Sequence, residues 1–351
     1  MELSDLLNKF IFPAFIVQNG QITHANISAL ERNIEVGSQI TDLISVGNEE
    51  YREFTQGKLC LTLNLGGISY NTNVSAMDNA HLFSLETEYD NPQLRTLALA
   101  AQQLREPLAN AFAGTELLFD AVTENEESKA QLAQVNRSLH QLLRMVSNMS
   151  DAALYNAEQL RNIETVELIA AFDEILEKTS ALAEKANRKL TYMLPNQSVF
   201  SLADRQKLER AILNMLSNAL RFSPADSEIY VNIKAVKTRV YFTVQNKLTQ
   251  AFANEPFFRY LREPGLEFSQ SGIGLGLSIV RSAAASHGGT LLMELPEEDT
   301  VRFTLSLAIT NSNATKLRSP VQFPTDYAGG KDRALLELSD VLPNQLYSET
   351  D

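Results

Sequence analysis

Cysteine is almost missing from this chain of 351 residues: Cys60 stands alone, which excludes an internal disulfide framework and a cysteine-rich metal centre. Long apolar runs are missing too. No stretch approaches the roughly 18 consecutive apolar residues of a membrane span. The first residues, MELSDLLNKF, carry two acids and no basic opening, so they do not read as a secretory signal, and a cytoplasmic location is expected. Positive charge is short: 30 Lys and Arg face 43 Asp and Glu, for a net charge of −13. That balance argues against general binding to nucleic acid or anionic membrane, because phosphate backbones are held by clustered Lys and Arg.

What is present is a helical seam. Leu94, Leu97, Ala101, Leu104, Leu108, Ala111, Thr115 and Leu118 follow an alternating three-four spacing, the pattern of a coiled coil or helical bundle. After the acidic turn TENEES, Leu132, Val135, Leu139, Leu142, Val146, Met149 and Ala153 repeat the rhythm. Two such helices on a short polar loop form an antiparallel hairpin. A seam this regular is expected to complete its core against a second copy, giving a homodimeric four-helix bundle.

Before the hairpin, residues 1–88 read as a small α+β domain. Phe15–Val17 predicts a strand, Asn19-Gly20 a tight turn and Ile22–Ala25 the return strand. Leu61, Leu63 and Leu65 alternate, Gly66-Gly67 turns the chain, and Ile68, Tyr70 and Val74 continue on the other side. Leu82–Leu85 predicts a last strand feeding the first seam helix.

After the hairpin, Leu168 to Ala186 reads as an amphipathic helix and Leu190–Leu194 as a strand. Asp204 is a candidate N-cap for a helix running to Phe222. On that helix Leu208, Ile212, Met215, Leu216 and Ala219 share one face, while Asn214, Asn218 and Arg221 share the other. Two amides and a guanidinium in line offer oxygens to a metal and a bidentate cation to phosphate; the plain alternative is a solvated polar face. Two alternating strands follow at Ile229–Ile233 and Val240–Val244. A long irregular stretch then ends in SGIGLGL and leads into a helix closed by His287-Gly288-Gly289. Glycines let backbone N–H groups approach phosphate oxygens, and a helix N-terminus adds positive potential. The expected architecture is α+β and multidomain: the small domain at 1–88, the hairpin at 89–158, an α/β sandwich at 159–310 and a tail at 311–351.

Taken together, LERAILNMLSNALRFSP resembles the N box of sensor histidine kinases. SGIGLGLSIVRSAAASHGG resembles their second glycine box, and NEPFFRY is similar to their phenylalanine box. The hairpin lies where that family keeps its dimerisation and phosphotransfer helices, and the opening FPAFIVQNGQITHANISALERNIEVGSQITDLI resembles a PAS sensor domain. The resemblance implies a Bergerat-type ATP-binding sandwich behind a dimeric bundle, with ATP and Mg²⁺ as cofactors. It implies Asn218 as the magnesium ligand, Asn214 in support and Arg221 on phosphate. Gly272, Gly274 and Gly276 would wrap the triphosphate.

The chain departs from the family where the chemistry lies. Where active members carry a run like S-H-E-L-R-T-P-L, this one reads Ala101-Gln102-Gln103-Leu104-Arg105-Glu106-Pro107-Leu108. Gln102 holds the phosphoacceptor position, and an amide carries no phosphoryl group as imidazole does. Gln103 replaces the assisting acid, and Glu106 would repel a phosphoryl group. Strand phase puts Asn246 where the family has an adenine-binding Asp; its amide oxygen accepts more weakly than a carboxylate. Lys247 and Leu248 stand where a glycine is expected, so either ATP binds weakly or the fold survives without it.

The expected protein is a two-component signalling relative without autophosphorylation, acting through dimer conformation on a response regulator or a true histidine kinase. The alternative is an active ATP-dependent kinase or ATPase that phosphorylates a histidine in trans. A scaffold dimer without nucleotide is the third reading. His24 and His81 are isolated and read as structurally incidental, and Cys60 lies in no flavin-adduct motif. His140, one residue past the seam position Leu139, is expected to be exposed, and His287 to cap a helix end. The tail reads as packed on the domain through Leu335, Leu336 and Leu338, with a docking segment for a partner as the sharper alternative.

Overall fold

The computed structural model describes residues 7–10, 12–85, 92–121, 125–152, 162–249, 275–310 and 327–348. The glycines 272 and 274, the NEPFFRY stretch, and the side chains of Leu94, Leu97 and Ala153 lie outside the described residues.

The N-terminal unit is an antiparallel sheet built from β1 (Ala14–Gln18), β2 (Gln21–Ala25), β3 (Ile44–Val46), β4 (Lys58–Leu65), β5 (Ile68–Met77) and β6 (Ala80–Leu85), with short helices α1 (Ile27–Leu30) and α2 (Asn48–Glu53). The strands stand in the order β2-β1-β6-β5-β4, with β3 paired to β4. The β1–β2 hairpin turns at Asn19 and Gly20, both at positive φ, as a two-residue turn of this kind requires. Alternation along β4 buries Leu59, Leu61, Leu63 and Leu65 beneath Phe15 and Phe83, whose rings stack at 4.8 Å.

The hairpin consists of α3 (Pro92–Ala121) and α4 (Glu126–Ala152). Pro107 lies inside α3; without an N–H it leaves one helical bond unmade, a site where helices bend. The seam divides into two. Ala101, Leu108, Thr115 and Val146 are buried, with Leu139 and Met149 packed against them, while Leu104, Leu118, Val135 and Leu142 are exposed.

The C-terminal unit comprises β7 (Glu164–Glu167), α5 (Leu168–Lys185), β8 (Lys189–Met193), β9 (Phe200–Ala203), α6 (Arg205–Phe222), β10 (Glu228–Val236), β11 (Arg239–Lys247), α7 (Gly276–Ser286), β12 (Leu291–Glu297) and β13 (Thr300–Ala308). The helices cover one face of the sheet β12-β13-β11-β10-β8. Phe172 of α5 meets Phe242 of β11 edge-on at 5.4 Å in this α/β sandwich. The strands β7 and β9 form a separate two-stranded sheet. After the last strand, α8 (Arg333–Glu337) and a 3-10 turn at Asn344–Tyr347 follow, and Leu338, Leu342 and Tyr347 enter the sandwich core.

The two sheets are continuous. β4 pairs antiparallel with β12, Cys60 opposite Leu291 and Lys58 opposite Met293, so eleven strands share one ladder. Pairing two edges satisfies backbone groups that either sheet alone would leave open. The junction is tight: a Cβ on Gly57, which sits at φ +93°, would collide with the carbonyl oxygen of Met293. Arg239 of β11 adds ion pairs at 2.8 Å to Glu50 and 3.0 Å to Glu49, both on α2. Ser306 donates to the same Glu50 at 2.7 Å.

Candidate nucleotide site

Helix α6 carries a polar face. Its start is fixed by Asp204, whose carboxylate accepts from the Lys207 N–H at 3.1 Å, the bond of an N-cap. Leu208, Ile212, Met215, Leu216 and Ala219 bury into the core. The opposite face is not the solvated surface that polarity alone allows: Arg210, Asn214 and Ser217 are all buried. Arg210 donates to Asn148 of α4 at 2.9 Å, so the hairpin covers the first turns of this face.

Asn214 is wholly buried. Its Nδ2 donates back to the Arg210 carbonyl at 2.9 Å, and among the described residues its buried Oδ1 has no hydrogen-bond partner. That oxygen faces Gly276, at the first turn of α7: a Cβ there would stand 2.9 Å from Asn214 Oδ1 and 3.8 Å from Asn218 Nδ2. Among the described residues, the absent side chain leaves a cradle between both amides and the start of α7. A buried orphan acceptor carries a desolvation cost of about 1–3 kcal/mol, and its occurrence beside a glycine and a helix N-terminus suits a ligand bearing donors, bound water or a hydrated cation. The residues present therefore fit a magnesium-bound phosphate group, with Asn218 half-buried at the rim. Among the described residues no group of His, Cys, Asp and Glu is placed to hold a metal unaided, so a cation here would take ligands from amides and phosphate.

Asn246 lies on the inner face of β11, in phase with Val244 and Phe242, and is buried; its Nδ2 donates to the Lys247 carbonyl at 2.9 Å. Just beyond it the Thr249 N–H bonds the Phe222 carbonyl at 3.0 Å, which brings the strand end to the C-terminus of α6. The structure thus gathers Asn214, Asn218 and Gly276 and places Asn246 on the adjoining strand. Arg221 stands apart, its Nη1 paired with Asp340 of the C-terminal segment at 3.2 Å. Gln102, Gln103 and Glu106 are exposed on α3.

Two histidine expectations meet different outcomes. His140 is buried at 2% exposure, contrary to its expected place on the surface. Its Nδ1 donates to the Asn136 carbonyl at 2.9 Å, and its ring lies edge-on between Phe112 and Tyr347. The reason is the C-terminal segment, which covers this face of α4. His287 does sit at the C-terminus of α7 and joins two helices there. Its Nδ1 donates to the Ala283 carbonyl at 2.7 Å, and its Nε2 accepts from the Asp204 N–H at 3.0 Å.

Burial holds the His287 imidazole below its ordinary value, against the opposing pull of the Ala283 carbonyl and the Asp204 charge. Burial lowers His81 in the same way. A lowered folded-state value means that stability is complete above the unfolded value of about 6.5 and is lost as the pH falls through the folded one. Thermal unfolding between pH 7.5 and 5.5 is expected to show a falling midpoint. His287→Gln, whose amide oxygen still accepts from Asp204, should reduce that slope; an unchanged slope would remove His287 from the account.

Residues 203–310, spanning β9 to β13, match the family of histidine kinase-, DNA gyrase B- and HSP90-like ATPases. Beyond that region the chain is similar to sensor histidine kinases. It is similar to the sensor histidine kinase CusS of Escherichia coli O6:H1, with 31% identity over 198 residues covering 54% of this chain and 40% of that one. It is also similar to the hybrid signal transduction histidine kinase D of Dictyostelium discoideum, with 25% identity over 249 residues, 65% of this chain and 16% of that one. Among solved structures it is similar to full-length ShkA in complex with AMPPNP, with a TM-score of 0.48 and 21% identity across 62% of this chain and 46% of that one. The chain spans less than half the length of both kinases from these organisms.

Arg210, Arg144, Glu337 and Asp340 form ion pairs beside this face with little in the local sequence to announce them. Arg210 carried a signal, since it precedes Asn214 by one helical turn on the same face. The two acids carried only their spacing of three in LLELSD, which does not say what they meet.

Proposed function

We propose that this chain is a cytoplasmic, homodimeric, histidine-kinase-like signalling protein that binds ATP with Mg²⁺ but accepts no phosphoryl group on its own hairpin. The observation that carries the reading is the pairing of Asn214 and Asn218 with the cradle at Gly276, set against an amide, Gln102, where a phosphoacceptor imidazole is required. Asn218 would hold the metal, with Asn214 in support. Gly272, Gly274 and Gly276 would line the triphosphate, and Asn246 would accept from the adenine amino group. ATP supplies the phosphoryl chemistry of this family; here its binding would favour one hairpin arrangement over another.

The N-terminal sheet is read as a PAS-like sensor domain, and its shared ladder with the sandwich gives a direct mechanical link between the two. The exposed half of the seam, Leu104, Leu118, Val135 and Leu142, offers large apolar side chains of the kind that mark an interface, and a second copy would complete a four-helix bundle. The partner downstream would be a response regulator or a catalytically complete histidine kinase. Among the described residues no helix is long and apolar enough to cross a membrane.

Incubation with Mg²⁺ and ATP labelled at the γ-phosphate tests the reading. The expected result is no acid-labile label on this chain, because Gln102 offers no nucleophile. Label retained on the chain would overturn it, and label appearing on an added histidine-bearing protein would support phosphotransfer in trans instead.

A further inference from the structure

The C-terminal segment, residues 327–348, lies across the hairpin and the sandwich at once. Glu337 is completely buried, with Arg144 Nε of α4 at 2.9 Å and Arg210 Nε of α6 at 3.6 Å. Asp340, one turn on, pairs with Arg144 Nη1 at 2.8 Å and with Arg221 Nη1 at 3.2 Å. Two carboxylates spaced by three thus bind a cluster of three guanidiniums drawn from the hairpin and from the polar face of α6. The flanks fasten the same joint. Arg137 donates to the carbonyls of Ser339 at 2.8 Å and Asp340 at 2.9 Å, and Asn136 donates to the Tyr347 carbonyl at 2.9 Å. At the segment's other end, Ser147 donates to the Tyr327 carbonyl at 2.8 Å, and the Tyr327 ring lies 4.3 Å beneath the Arg210 guanidinium.

We propose that this segment is a reversible cis-acting lock: its acidic pair occupies the arginine cluster as an anion would, withholds Arg221 from nucleotide phosphate, and fixes the hairpin against the sandwich. The inference rests on the nucleotide site proposed above. A carboxylate and a phosphate oxygen compete for the same guanidinium donors. Asp340 is the partly exposed member of the acidic pair and Glu337 the buried one, so a ligand reaching Arg221 would displace Asp340 first. Opening the lock frees α4 to move relative to α6, which couples nucleotide to hairpin geometry. The apparent affinity of a closed population is lowered by the fraction that is open.

The test uses the full chain, with Asp340→Asn, Glu337→Gln and Asn218→Ala variants. Without nucleotide, amide hydrogen exchange over residues 333–347 is expected to be slow in the wild type and markedly faster in Asp340→Asn and Glu337→Gln. Equal protection in all three overturns the lock. Calorimetric titration with Mg-ATP is expected to give binding roughly tenfold tighter in Asp340→Asn than in the wild type, and none in Asn218→Ala. Equal affinity of wild type and Asp340→Asn, with binding lost in Asn218→Ala, overturns the competition while sparing the nucleotide site. No binding by any variant, the unlocked ones included, overturns the nucleotide reading itself.

Discussion

Glu337→Ala is expected to cost about 3–5 kcal/mol of stability, the range for removing one member of a buried ion pair. The Glu337 side chain is fully buried and that of Arg144 is 10% exposed, so solvent does little to screen the pair. The loss leaves Arg144 and Arg210 facing each other without their shared anion. Arg210 already sits in an unfavourable place: burial pushes its guanidinium below its ordinary value, the Arg105 and Arg144 charges add to that, and Glu337 opposes them. Detachment of residues 327–348 would relieve that repulsion, but would also uncover His140 and withdraw Leu338, Leu342 and Tyr347 from the core. Denaturant unfolding of Glu337→Ala, Arg144→Ala and the double variant reads the pair directly. The double variant is expected to cost clearly less than the sum of the singles, and simple additivity would mean that the two charges do not act on each other.

Gly289→Ala is expected to cost roughly 3 kcal/mol or more, at the upper end of what forced overpacking produces. The helix α7 ends at His287, and the chain turns through Gly288 at φ +65°. The Gly289 N–H returns to the Ala284 carbonyl at 2.8 Å, the bonding of a glycine-closed helix end. At Gly289 a Cβ would overlap the carbonyl oxygen of Ser306, with the Leu307 backbone just behind. These neighbours belong to β13, the strand between β11 and β12, so relief requires backbone movement in the middle of the sheet. Gly288→Ala is the comparison. Its new Cβ meets only the Ala308 side chain at 3.2 Å, and the left-handed conformation adds about 1–2 kcal/mol. Unfolding midpoints should therefore fall further for Gly289→Ala than for Gly288→Ala. The reverse order would show that conformational strain, and not the close approach, dominates this junction.

The elements with a strong period were legible in the sequence. Strict alternation marked β4, β10 and β11, and the three-four seam marked α3 and α4, because each pattern maps directly onto one buried face. The face of α6 bearing Asn214 and Asn218 was legible for the same reason, as was the phase of Asn246 on β11. Short elements escaped. ETVE and FSLA, which pair as β7 and β9, are four residues long and carry too few alternations to show a period.

Long-range partners escaped altogether. The β4–β12 joint is made by backbone groups that every sequence possesses, so no side chain announces it. His140 lies next to a seam position and reads as exposed on the helix alone; Phe112 of α3 and, from the far end of the chain, Tyr347 cover it. Arg221 carried the signature of a phosphate contact, yet its partner in the structure is the carboxylate of Asp340. The distinction lies in tertiary placement, which local pattern does not encode.

The central claim, that the polar face of α6 and the start of α7 form a nucleotide site, is tested most directly by titrating Mg-ATP into the wild-type chain and into Asn218→Ala by calorimetry. Saturable, magnesium-dependent binding that disappears in Asn218→Ala is the predicted result. Heats indistinguishable from dilution at millimolar ATP for the wild type and the unlocked Asp340→Asn variant alike, or equal binding by the wild type and Asn218→Ala, would contradict it.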